Sequence, residues 1–66
     1  MDEQTIQQQM DLAEQVGQDG DARRATHLYQ ALGDSLRAEY GPYDSRVLDA
    51  YEGMARWVAA KDLPAS

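Results

Sequence analysis

With 66 residues and no cysteine, the chain has length for one small domain and no route to disulfides or thiolate metal sites. One histidine excludes a multi-histidine metal centre, and no calcium-loop spacing of carboxylates occurs. The formal net charge of −6 argues against phosphate-directed nucleic-acid binding, which needs clustered Lys and Arg.

The acidic groups are spread along the chain, so their simplest role is solubility. No apolar run approaches transmembrane length, and no basic start leads into an apolar signal core. A soluble, cytoplasmic protein is expected, with no cofactor, no metal, no membrane and no nucleic acid. A single core of this size rarely supplies more than about 3–5 kcal/mol, so further support is expected from self-association, as a homo-oligomer, or from docking on a larger protein.

Residues 1–4 are expected to be frayed, residues 5–62 to form one helical domain, and residues 63–66 to be a flexible tail. Thr5-Ile6-Gln7-Gln8 fits a capping box, with Thr5 as cap and Gln8 reaching back to it. The first helix carries Ile6, Met10, Ala13 and Val16 on one stripe, with Leu12 adjacent. Gly17 to Gly20 is its stop. Asp21 is the cap of a second helix over about 21–39, whose apolar face is Ala25, Leu28, Tyr29, Leu32 and Leu36. Gly33 lies inside it, at a cost of about 0.5–1 kcal/mol relative to Ala, which marks close packing of a neighbouring backbone or a tolerated weakness. Gly41 in a left-handed conformation and Pro42 end that helix. Asp44 or Ser45 caps a third helix to about Lys61, with a main stripe of Val47, Leu48, Tyr51, Met54, Ala55 and Val58. No segment shows sustained strand alternation, so the fold class is all-α.

The chain matches itself at a displacement of 42 residues: Thr5 falls on Val47, Ile6 on Leu48, Leu12 on Met54, Ala13 on Ala55, Val16 on Val58. A repeat of this length is the mark of stacked helical hairpins. One full hairpin plus the first helix of a second is expected.

Leu12-Ala13, Gly20, Ala25, Leu28-Tyr29, Tyr40-Gly41-Pro42, Val47 and Met54-Ala55 together resemble the tetratricopeptide repeat. The resemblance is to the longer variant found in kinesin light chains and many bacterial signalling proteins, and it covers about residues 9–62. It implies a three-helix unit, one hairpin plus one helix, that works as a non-catalytic protein–protein interaction module. Where that family often carries a peptide-clamping pair of asparagines, this chain has Met10-Asp11 and Glu52-Gly53, so the clamp is not carried over. Leu32 stands where the family usually has alanine.

Trp57 is the most informative single residue. Ala50, Met54 and Trp57 form a second stripe on the third helix, leaving it apolar on more than one side. Trp57 either closes the core or anchors a partner, since Trp and Tyr are enriched at interface hot spots. The candidate partner-binding set is Trp57, Met54, Ala50, Tyr51 and Tyr43. Tyr29 and Tyr40 are assigned to core and turn packing.

No catalytic constellation is present: His27 stands alone on a helix surface, and no serine or acid is spaced to complete a triad with it. Leu32-Gly33-Asp34-Ser35-Leu36 resembles the Asp-Ser-Leu site of acyl and peptidyl carrier proteins, whose serine carries phosphopantetheine. An alternative function is therefore a carrier modified at Ser35. Against it, Ser35 falls inside an apolar period that begins at Ala25 instead of opening a helix. A further alternative is an acidic inhibitor or antitoxin that covers a basic protein surface.

Overall fold

A computed structural model describes residues 1–61 of the chain. Three helices follow one another, α1 (Glu3–Gln18), α2 (Ala22–Tyr40) and α3 (Ser45–Lys61), and no strand occurs among the described residues. The fold is all-α, a three-helix unit. The expected tail at 63–66 lies outside the described residues.

Each helix starts on an aspartate that lies just outside it. The Asp2 carboxylate accepts the Thr5 N–H at 2.7 Å, Asp21 accepts the Arg24 N–H at 3.0 Å, and Asp44 accepts the Arg46 N–H at 2.9 Å. A helix start leaves its first N–H groups unpaired, and a short acidic side chain both accepts from them and meets the positive end of the helix dipole. These backbone bonds hold the Asp2 and Asp44 carboxyls below the usual carboxylate range. The expected capping box at Thr5 and Gln8 does not form. Asp2 is the stronger cap, so the helix begins earlier and takes in Glu3 and Gln4, two of the residues expected to be frayed.

The expected stop over 17–20 forms: α1 ends at Gln18, with Gly17 buried in its last turn and the chain turned by Asp19 and by Gly20 at φ +103°. Gly41 ends α2 with φ 94° and ψ 160°, an extended positive-φ conformation open essentially to glycine alone, instead of the left-handed helical one. Its N–H still closes the helix on the Arg37 carbonyl at 2.9 Å.

α2 runs antiparallel to both neighbours, and it packs far more extensively on each of them than they do on one another. The core is Ile6 from α1, Leu32 and Leu36 from α2, and Val47 and Ala50 from α3, with Met10, Tyr40 and Tyr51 against it. At the corner between α2 and α3, the Arg46 guanidinium lies 3.8 Å from the centre of the Tyr40 ring. It also pairs with Asp44 at 2.9 Å and with Glu3 of α1 at 3.1 Å. One side chain thus ties the end of α2 to the starts of α1 and α3.

Three helical glycines act as seats for aromatic rings. A methyl group at Gly53 would lie 2.5 Å from the Tyr29 ring, one at Gly33 would lie 2.7 Å from Tyr51, and one at Gly17 would lie 2.5 Å from Trp57. Ring and glycine always come from different helices. Gly33 therefore marks close packing, against a ring and not a backbone.

Two expectations follow. Asp2→Ala should lower the unfolding temperature while Thr5→Ala changes it little, as read by thermal unfolding followed at the helical circular-dichroism band. Equal effects would restore Thr5 as the cap. Gly53→Ala gains about 0.5–1 kcal/mol of helix propensity but drives a methyl into a ring with nowhere to go, since Tyr29 is only 3 % exposed. Overpacking of this kind costs about 1–3 kcal/mol, so net destabilisation is expected in urea unfolding. Gly33→Ala should cost less, because the half-buried Tyr51 ring can swing outward; the reverse order would contradict the seating.

Candidate functional site

α3 is where the sequence placed the partner-binding residues, and its two faces are set by what α2 and α1 present to it. Ala50 is fully buried in the core. Tyr51 is half-buried with its ring on Gly33, and its hydroxyl donates to Asp34 at 2.5 Å. Met54 is half-buried. Trp57 is half-buried with its ring on Gly17 of α1. Tyr43 stands alone in the turn before α3, 91 % exposed. The Ala50, Met54 and Trp57 stripe therefore turns inward and closes the fold.

The stripe expected to face inward divides. Val47 is buried, and Tyr51, Met54 and Val58 are partly covered, but Leu48 is 56 % exposed and Ala55 is exposed. Leu48, Glu52, Ala55 and Ala59 are all exposed, at the spacing of one helical face. Sequence reasoning missed this face because hydropathy counts Leu48 and Ala55 as core and gives Gly53 no weight. The available signal was Gly53 itself: a glycine inside a helix marks the side on which a ring must fit.

Trp57 belongs to a polar junction centred on Glu14. A single oxygen, Glu14 Oε1, accepts from the Tyr29 hydroxyl at 2.8 Å, from Arg56 Nη2 at 3.1 Å and from Trp57 Nε1 at 3.3 Å. All three helices meet at this carboxylate. The Tyr29 hydrogen bond, helped by Trp57 and Arg56 and opposed by burial, holds the Glu14 carboxyl below its ordinary range. Burial, reinforced by Glu14, pushes the Tyr29 phenol up to about 12. The junction was not legible in the sequence, because its members lie far apart in the chain.

Ser35 is exposed in the interior of α2, between Asp34, which takes the Tyr51 hydroxyl, and the fully buried Leu36. It does not open a helix. His27 is exposed on α2. Among the described residues there is no cavity, no cluster of His, Cys, Asp and Glu suited to a metal ion, and no helix long and apolar enough to cross a membrane. Comparison with known proteins finds no matching family model, no matching curated protein and no matching solved structure.

The junction carries a pH expectation. A carboxylate held low in the folded state stabilises the fold above its ordinary value of 4.5, and that contribution is lost as pH falls through the folded-state value. A phenol held high stabilises below its ordinary 10.0, with loss as pH rises through about 12. Stability in urea, followed by the fluorescence of Trp57, the sole tryptophan, should fall as the pH drops below the ordinary carboxylate value of 4.5. Glu14→Gln should flatten part of that slope. Identical slopes in the two proteins would show that Glu14 contributes nothing to it.

Proposed function

We propose that this chain is a non-catalytic protein–protein interaction module, and that it binds either another copy or a larger protein through the outer face of α3. The observation that carries the reading is the exposure of Leu48, Ala55 and Ala59 along one helical face of a chain whose own core is small. Apolar area withdrawn from water there adds about 25 cal/mol per Å², which matters where a core of this size rarely supplies more than about 3–5 kcal/mol.

The arrangement also supports a tetratricopeptide-like unit. α1 and α3 run parallel with α2 antiparallel between them. Their contacts fall close to the offset at which the sequence repeats: Glu14 meets Arg56 and Trp57, and Glu3 meets Arg46. Trp57 is a poor probe of binding on this reading, because removing it also unseats α1.

The test is a photo-crosslinking amino acid placed at position 48 and, separately, at Gln8 on the exposed side of α1. In cells making this chain, position 48 should form a protein adduct and position 8 should not. The adduct's mass tells a second 7.4 kDa copy from another protein. No adduct at 48, or equal adducts at both positions, would overturn the reading.

A further inference from the structure

We propose that Glu14 is a latch: its charged carboxylate closes one end of the bundle, and loss of that charge opens this end while the opposite end stays packed. The opening lies inside the fold and needs no partner on α3.

The two ends of the bundle are built differently. Because α2 runs antiparallel to its neighbours, the start of α1, the end of α2 and the start of α3 share one end. The end of α1, the start of α2 and the end of α3 share the other. The aliphatic core lies at the first end: Ile6 of α1, Leu32 and Leu36 of α2, Val47 and Ala50 of α3. At the second end the buried residues are Ala13 and Gly17 of α1, Ala25, Thr26 and Tyr29 of α2, and Gly53 of α3. Among the described residues no leucine, isoleucine or valine is buried there; Val16, Leu28 and Val58 are half-buried. Small side chains withdraw little apolar area from water, so polar bonds carry more of the closure at this end.

Those bonds converge on one atom. Glu14 Oε1 accepts from the Tyr29 hydroxyl at 2.8 Å, from Arg56 Nη2 at 3.1 Å and from Trp57 Nε1 at 3.3 Å. A hydrogen bond to an ionised acceptor is about twice as strong as one between neutral groups. The Trp57 ring also stands over Gly17, so the indole bond and the ring seat together hold α3 to α1. Without the charge, Arg56 loses its counter-ion and three donors are left on a neutral oxygen, for which water is the better exchange. Gly17 and Gly53 both lie at this end and weaken the helices that carry them.

α1 has a separate attachment at the first end. Ile6 is buried in the core, the Tyr40 hydroxyl donates to the Met1 carbonyl, and Arg46 pairs with Glu3 at 3.1 Å. None of these contacts passes through Glu14, so α1 stays attached there when the latch releases.

A proton is the simplest release. Among the described residues, the groups that face Glu14 are Tyr29 from α2 and Arg56 and Trp57 from α3. None of the three changes charge between neutral and acid pH. On α1 itself, Asp11 is exposed and bonded to Gln7 at 2.9 Å. Acid also discharges Asp2 and Asp44, which cap helices at the first end. An amide in place of the Glu14 carboxyl, at neutral pH, separates the latch from those caps.

The test reads both ends at once in the full chain. Trp57 is the sole tryptophan and Ile6 the sole isoleucine, so the indole N–H and the isoleucine methyl report one end each by nuclear magnetic resonance. Urea is titrated at neutral pH. In the native chain the two transitions should coincide. In Glu14→Gln the Trp57 transition should move to lower urea than that of Ile6, leaving a range in which the indole signal is lost and the methyl keeps its folded position. Val47→Ala, at the first end, should move both transitions together. Coincident transitions in Glu14→Gln would overturn the latch, whether at the native midpoint or below it. If Glu14→Gln does not fold, the native chain is titrated with acid below the ordinary carboxylate value of 4.5. Loss of the indole signal before the methyl signal then supports the latch, and simultaneous loss overturns it.

Discussion

Tyr29 is the residue on which the three-helix arrangement depends. It sits on the middle helix and is nearly excluded from water. Its ring occupies the space that a side chain at Gly53 would need, which sets how closely α3 approaches α2. Its hydroxyl reaches the other way, to Glu14 on α1. The same carboxylate oxygen takes the Trp57 indole from α3, whose ring lies on Gly17 of α1. A closed circuit results, α2 to α3 by ring on glycine, α3 to α1 by ring on glycine, and α1 to α2 through Glu14. Such a circuit suits a chain that has neither disulfides nor a large core. Each glycine weakens its own helix by about 0.5–1 kcal/mol relative to Ala, and the loss is offset by burying an aromatic ring that makes many contacts at once.

Much of this was legible in the sequence, and the parts that were not share a cause. Helix number, order and turns follow from apolar periodicity and from Asp21, Gly41-Pro42 and Asp44, and the structure agrees to within a residue or two for α2 and α3. The apolar period of α2 picks out its buried residues at Ala25, Tyr29, Leu32 and Leu36. The errors fall where a small residue decides geometry. Hydropathy treats Gly17, Gly33 and Gly53 as neutral, yet they determine which side of each helix meets a ring. With Gly53 weighted as an inward position, the inward stripe of α3 rotates away from Leu48 and Ala55 and onto Ala50 and Trp57. The Asp2 cap was missed for a different reason: a capping-box pattern at Thr5 competes with it in sequence, and only the greater strength of a carboxylate at the helix start separates them.

The duplicated face shows how one helical period can have two fates. Ile6 and Leu48 are similar in size, as are Ala13 and Ala55, and an isolated helix would treat each pair alike. The difference comes entirely from neighbours. α1 precedes α2 and is covered by it on the Ile6 side; α3 follows α2 and is covered on the Val47 side. Burial is therefore a property of position in the stack and not of residue type, which is why a periodicity argument finds the helix but not its orientation.

That distinction bears on how a bound partner would act on the fold. The inner side of α3 is held by Tyr29 against Gly53 and by Trp57 against Gly17. Docking on the outer side would then meet a helix whose rotation is already set, so little ordering entropy is lost in presenting Leu48, Ala55 and Ala59 together. A ligand that binds the folded chain alone also stabilises it, by about 2.7 kcal/mol at a concentration about one hundred times its dissociation constant. That amount is of the same order as the stability available to so small a core. On the proposed function, then, the partner and the internal aromatic circuit act on the same equilibrium. The circuit holds the outer face ready for docking, and docking draws the population toward the state in which the circuit is closed.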